Sequence, residues 1–233
     1  MKTLPTNVFG YLVMLVFCAG VAARDADSAQ EPPNLGVLKV QLKDYHSREY
    51  ALEVATVLSE AGKWIKKRAP QVKNPAIVLD VDETSLSNWE QLVANDFAFI
   101  PNGLCSVPAQ MPCGNSGWDQ SLRATAIQPT LQLFQDAKKM GVAIFFITGR
   151  FDDPVERSAT ELNLWLVGYR GWEKLYMRQD RAGTVSAFKT GARETIEHDG
   201  YTIIANVGDQ RSDLEGGHAE KTFKVPNPFY FIP

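Results

Sequence analysis

Three short runs of β-branched, aliphatic and aromatic residues interrupt the polar background of the chain: Ala76–Val81, Val142–Ile147 and Thr202–Val207. Each is bounded by polar or turn-forming residues and is short for a helix, so each predicts a buried strand. Elsewhere the apolar positions take helical spacing. Val54, Leu58, Ala61 and Ile65 mark one face of a helical stretch from Leu35 to Ala69, which Pro70 stops. Further helices are predicted over Thr130–Met140, around Val185, Phe188, Ala192 and Ile196, and where Val155, Ala159, Leu162 and Leu166 share one face. Strands alternating with helices predict an α/β fold, a doubly wound parallel sheet covered on both faces. Leu175–Met177 and Thr222–Val225 add two weaker strands, for about five in a Rossmann-like sheet. The segment Ser85–Ala126 breaks the alternation. It is rich in Pro, Gly and Asn, follows the first strand directly, and reads as a small cap inserted at about 85–126.

The N-terminal pattern differs from everything after it. Lys2 and Arg24 bracket 21 uncharged residues, nearly all apolar from Val8 onward, that end in Val21-Ala22-Ala23. This predicts a signal peptide over residues 1–23 and hence a protein exported to the periplasm or the extracellular space. An uncleaved anchor is the weaker reading, because the apolar run falls short of the ~20 residues that span a bilayer. Residues 24–34, with Pro32 and Pro33, read as a flexible lead-in to a single domain over 35–233. No later stretch is apolar enough for a membrane span, so no membrane association is expected after cleavage.

Export changes the reading of the cysteines. Of three, Cys18 leaves with the leader, and an oxidising compartment favours pairing of Cys105 with Cys113. A zinc site is a poor alternative, since His46, His198 and His218 are widely separated. The charge balance, 24 Lys and Arg against 27 Asp and Glu for a net −3, offers no basic field for a nucleic acid polymer. With 45% apolar residues, disorder is excluded.

Chemistry collects at the strand ends. The first strand runs into Asp80-Val81-Asp82-Glu83-Thr84, the second into Thr148-Gly149-Arg150, and the Thr202–Val207 strand into Gly208-Asp209, with Asp213 close behind. Carboxylates placed so close together repel unless a cation or a catalytic task compensates them. The C-terminal edge of an open α/β sheet is where ligands bind. Either aspartate pair taken singly could merely cap a following helix, but strand after strand ending this way points to a site.

In that order, with Lys189 between the second and last groups, these residues resemble the four motifs of the haloacid dehalogenase-like phosphohydrolases. More narrowly, the chain is similar to their secreted acid phosphatases, a group that includes bacterial acid phosphatases and plant vegetative storage proteins. The similarity runs through the closing Pro226-Asn227-Pro228-Phe229-Tyr230-Phe231. Lys174 and Lys221 compete with Lys189 for the third motif. The resemblance implies a Mg²⁺-dependent hydrolase of small phosphomonoesters. Asp80 would be the nucleophile and Asp82 the general acid and base. Mg²⁺ would be held by Asp80, the backbone carbonyl of Asp82 and Asp209, with Asp213 behind them or bound through water. Thr148, Gly149 and Lys189 would bind the phosphate.

Other phosphatase chemistries fail on inspection. Met111 and Asp119 stand where a cysteine phosphatase would need its arginine, and no histidine lies within an Arg-His-Gly sequence. A phosphoprotein phosphatase of the same superfamily would also use Asp-x-Asp-Glu-Thr, but export argues against it; a non-catalytic storage or phosphate-binding protein on the same scaffold stays open, and so does a homo-oligomer. Trp89, Phe97, Phe99 and Trp118 read either as the cap's own core or as a wall for the leaving group, and Phe229–Ile232 as a strand or plug packed on the domain.

Overall fold

A computed structural model describes residues 31–232, so the predicted signal peptide and most of the lead-in lie outside the described residues. Helix α1 (Leu35–Tyr45) passes through a π-helical turn (His46–Tyr50) into α2 (Ala51–Arg68), and β1 (Pro75–Leu79) follows. Next come β2 (Leu86–Ser87), α3 (Trp89–Ala94), α4 (Asn115–Ser121) and β3 (Thr125–Ala126). The chain then alternates regularly: α5 (Gln128–Lys139), β4 (Ala143–Phe151), α6 (Pro154–Leu166), β5 (Lys174–Arg178), α7 (Val185–His198), β6 (Thr202–Gly208), α8 (Arg211–Leu214) and β7 (Thr222–Lys224).

Five of these strands form one parallel sheet in the order β5-β4-β1-β6-β7. Alternate side chains of β1 serve opposite faces, as the pleat requires. Ile77 and Leu79 join the larger core with Leu58, Ala61 and Ile65 of α2 and Phe134 and Ala137 of α5. Ala76 and Val78 join the smaller core with Ala192 and Ile196 of α7. The strands build outward from β1 in both directions, first through β4 and β5, then through β6 and β7. The order therefore reverses between β1 and β6, and a doubly wound sheet opens a crevice at such a point. Asp80 and Asp209 are the residues that follow those two strands, and the Asp80 N–H donates to the Val207 carbonyl at 3.0 Å, closing the strand ends together.

The N-terminal helix runs unbroken from Leu35 to Arg68, as expected, with a π-helical turn at His46–Tyr50 inside it. Tyr50 is buried, and His46 stacks flat on Trp89 with ring centroids 3.5 Å apart. Two other elements differ from the sequence reading. Strand β4 does not end at Ile147 but runs to Phe151, with Gly149 and Arg150 as an irregularity between the Thr148–Met177 and Phe151–Arg178 pairs. In α6 the expected apolar face is wrong for all but Ala159. Val155, Leu162 and Leu166 are exposed, while Glu156, Thr160, Asn163 and Leu164 turn inward.

The segment between β1 and α5 is tied together locally. Strands β2 and β3 pair antiparallel, Leu86 with Ala126 and Ser87 with Thr125. Cys105 and Cys113 form a disulfide. Trp118 is 2% exposed and its indole N–H donates to Asn88 Oδ1 at 2.8 Å. Trp89 and Phe97 pack against the main core, and Phe99 is 73% exposed. Packing therefore accounts for these aromatics, apart from Phe99. The tail beyond β7 is a plug rather than a strand, with Phe229 buried against Tyr50, His46 and Trp89. Among the described residues no helix is long and apolar enough to cross a membrane.

Candidate active site

The residues singled out at the strand ends meet in the crevice. Lys189, on α7, is buried and its ammonium donates to Asp80 Oδ1 and, at 2.6 Å, to Asp213 Oδ1. The competing lysines are elsewhere, Lys174 over the Tyr176 ring and Lys221 over Trp64 and Phe223. Carboxylate oxygens of Asp80, Asp209 and Asp213 lie within 4.8 Å of one another. Asp213 is anchored on both sides, since its Oδ2 accepts from the Gln210 N–H at 2.7 Å. Gly208 is required by this packing: a Cβ there would fall 2.3 Å from the Asp213 Cβ and 2.5 Å from its Oδ2.

Asp82 has a separate set of hydrogen-bond partners. Its carboxylate receives Arg150 Nη2 at 2.7 Å on Oδ1 and Arg150 Nε at 3.0 Å on Oδ2, with the Thr148 hydroxyl 3.5 Å from Oδ2. The irregularity at the end of β4 delivers Arg150 here, as bulges beside active sites commonly re-aim a side chain. The same guanidinium pairs with Asp119 of α4 at 2.9 Å and Glu156 of α6 at 3.7 Å, and donates to Thr160 at 3.1 Å. A helix N-terminus favours an anion, and that of α6 is occupied by the chain itself. Asp153 Oδ1 accepts from the N–H groups of Val155 and Glu156, each at 3.0 Å.

Electrostatics follow from this geometry. Burial pushes Asp80 well above the ordinary carboxylate range, Lys189 opposes it, and Asp213, Asp209 and Asp82 add to it. Burial would also raise Asp82, but the charge and hydrogen bonds of Arg150 outweigh it and hold Asp82 below the ordinary range. Glu83 is pushed up to about 8 by burial and by Asp82, against the Asn88 hydrogen bonds. Asp209 is raised by burial and by Asp213, with Asn227 and Gln210 opposing. Among the described residues, Asp80 and Asp213 form ion pairs with Lys189, and Asp82, Asp119 and Glu156 with Arg150, while the neighbouring Glu83 and Asp209 pair with no cation. Such an excess of negative charge calls for protons or a further cation. Three clustered carboxylates are hard oxygen donors, so they could hold a divalent metal.

A model of the HAD superfamily, subfamily IIIB (acid phosphatase), matches residues 21–233. The chain belongs to this family. It is 32% identical over 187 residues to acid phosphatase 1 of Solanum lycopersicum, covering 78% of this chain and 69% of that one. It is 38% identical over 196 residues to the stem 28 kDa glycoprotein of Glycine max, covering 82% and 73%. In fold it is similar to the class C acid phosphatase of Bacillus anthracis, with a TM-score of 0.66 and 21% identity over 84% of this chain and 86% of that one. The protein is thus a phosphomonoester hydrolase of the acid phosphatase family.

In this acid phosphatase several site residues carried no role in the sequence reading. Arg150 stood in the second motif but was given no function. Asp119 and Glu156, its other partners, come from α4 and α6. Asn88 donates to both Asp82 at 2.8 Å and Glu83 at 3.1 Å, and Tyr230 reaches Glu83 at 3.1 Å from the C-terminal tail. Asn227, also in the tail, donates to Asp209 Oδ2 at 2.7 Å. The available signal was charge: the motif carboxylates outnumber their cations, so partners had to exist. Nothing in the local sequence named them. Gly149 is not demanded by the fold, since a Cβ there would meet only Val185 at an ordinary 3.6 Å.

Proposed function

We propose that this is an exported, Mg²⁺-dependent acid phosphatase that hydrolyses small phosphomonoesters through an aspartyl-phosphate on Asp80. The observation that carries the reading is the meeting of Asp80, Lys189, Asp209 and Asp213 at the point where the strand order reverses. Export rests on the predicted signal peptide and on the disulfide.

Asp80 uses one carboxylate oxygen to attack phosphorus while the bond to the ester oxygen breaks. Lys189 holds Oδ1, and among the described residues Oδ2 has no hydrogen-bond partner. Asp82 gives its proton to the departing oxygen. It then takes a proton from water as that water attacks phosphorus, releasing phosphate and restoring the Asp80 carboxylate. Thr148 and the Gly149 N–H bind phosphate oxygens, and Lys189 offsets the charge that develops on them. Mg²⁺, held by Asp80, the Asp82 carbonyl and Asp209 with Asp213 behind, would supply further neutralisation of the phosphoryl oxygens. Residues 85–126 act as a cap over the strand ends, a role supported by Asp119 reaching Arg150 from α4.

A storage or phosphate-binding protein on the same scaffold is the second reading. The presence of Asp80, the nucleophile that chemistry needs and mere binding does not, favours catalysis. Purified protein tested on aryl phosphates, nucleotides and sugar phosphates, before and after chelation, decides between them. Hydrolysis that stops on chelation and returns with Mg²⁺ is expected. Undiminished turnover after exhaustive chelation would refute the metal requirement, and phosphate binding without turnover on any ester would establish the second reading.

A further inference from the structure

The C-terminal tail does more than plug the core. Asn227 donates through Nδ2 to Asp209 Oδ2 at 2.7 Å, and its own Oδ1 accepts from the Phe229 N–H at 2.9 Å. That second bond settles which end of the amide faces the carboxylate. Phe229 is itself fixed by burial among Tyr50, His46 and Trp89. A second amide converges on the same oxygen: Gln210 Nε2 donates to Asp209 Oδ2 at 2.7 Å. The tail orients this one too. Gln210 Oε1 accepts from the Ile232 N–H at 3.2 Å, and Nε2 also lies 3.4 Å from the Tyr230 carbonyl.

A carboxylate offers about four lone pairs, two on each oxygen. Two amides saturate Oδ2, whereas Oδ1 accepts one bond, from the Thr84 hydroxyl at 3.1 Å. One lone pair is left, on Oδ1. We propose that residues 226–232 are a positioning element of the metal site, in which Asn227 and the tail-held Gln210 lock Asp209 so that it meets a divalent cation through Oδ1 alone. This rests on the metal reading above and adds to it a requirement for the C-terminus. Asn227 acts through Asp209 and touches no reacting atom.

The test is calorimetric titration of Mg²⁺ into metal-stripped full-length mature protein, with thermal unfolding of each metal-free variant alongside. Asn227→Ser keeps an oxygen able to accept from the Phe229 N–H but is too short to reach Asp209. Phe231→Ala changes an exposed side chain of the tail and leaves both amides in place. Groups that orient a metal ligand typically matter tenfold or more, so Asn227→Ser should weaken Mg²⁺ binding by about tenfold with its metal-free Tm unchanged. Phe231→Ala should bind as wild type does. If wild type binds Mg²⁺ and Asn227→Ser binds it equally well, the tail proposal is wrong and the metal reading stands. Equal weakening in both variants, together with a lower metal-free Tm, would reduce the tail to packing and overturn the proposal. Failure of the wild type to bind Mg²⁺ would overturn the metal reading, and the proposal with it.

Discussion

Arg150 grips Asp82 with two parallel bonds, Nη2 to Oδ1 at 2.7 Å and Nε to Oδ2 at 3.0 Å, so the proposed general acid sits in a planar fork. Such bidentate pairing fixes a carboxylate in orientation as well as in charge. It also favours the ionised form, and Asp82 accordingly lies below the ordinary carboxylate range. A proton donor with a low pKa carries its proton mainly in acid, which fits an enzyme of the acid phosphatase family.

Arg150→Lys tests this relation. Lysine keeps the charge and cannot form the fork. Asp82 should then titrate higher and stay protonated to higher pH, so the alkaline limb of kcat/KM should move upward while the maximum falls. A pH profile with an unmoved alkaline limb would show that Asp82 is not the group whose protonation governs the rate.

Lys189 is buried between Asp80 and Asp213, so its removal leaves two carboxylates without their shared cation. Breaking a buried pair on one side typically costs about 3–5 kcal/mol. Lys189→Met should therefore lower the metal-free Tm sharply, and added Mg²⁺ should recover part of the loss by replacing positive charge in the crevice. Thermal unfolding with and without Mg²⁺ reads both effects. An unchanged Tm would mean that the carboxylates are already neutral.

The Cys105–Cys113 disulfide closes a short loop between α3 and α4, with a sequence separation of 8. On the chain-entropy model, a loop of this size restricts the unfolded chain by about 2–3 kcal/mol. Reduction should lower the unfolding midpoint and leave hydrolysis running below it. Complete loss of turnover on reduction under folding conditions would place this loop in the catalytic machinery.

The sheet was legible because its strands are short apolar runs that end in charge, a pattern that survives without knowledge of any partner. Helix α2 was legible for the same reason: Val54, Leu58, Ala61 and Ile65 are all buried. Helix α6 was not legible in this way. Its inward face is largely polar because Thr160 accepts from Arg150 and Asn163 donates to the Ala124 carbonyl at 2.8 Å. Periodicity counts apolar residues, so it chose the exposed Val155, Leu162 and Leu166 instead. The same limit hid Asn227 and Tyr230. Tyr230 belongs to the site because the tail folds back onto Glu83, 147 residues away in sequence, and Asn227 because the tail crosses the end of β6 at Asp209.

The central claim is that Asp80 carries the phosphoryl group, and peptide mapping of the acid-quenched enzyme during turnover of an aryl phosphate tests it most directly. The account predicts a phosphoryl adduct on the peptide containing Asp80 that forms and decays at the rate of turnover. The adduct should accumulate in Asp82→Asn, which lacks the base that activates water, and be absent from Asp80→Asn, which should also lose turnover. Full hydrolytic activity in Asp80→Asn, or wild-type turnover with no adduct on that peptide at any time, would contradict it.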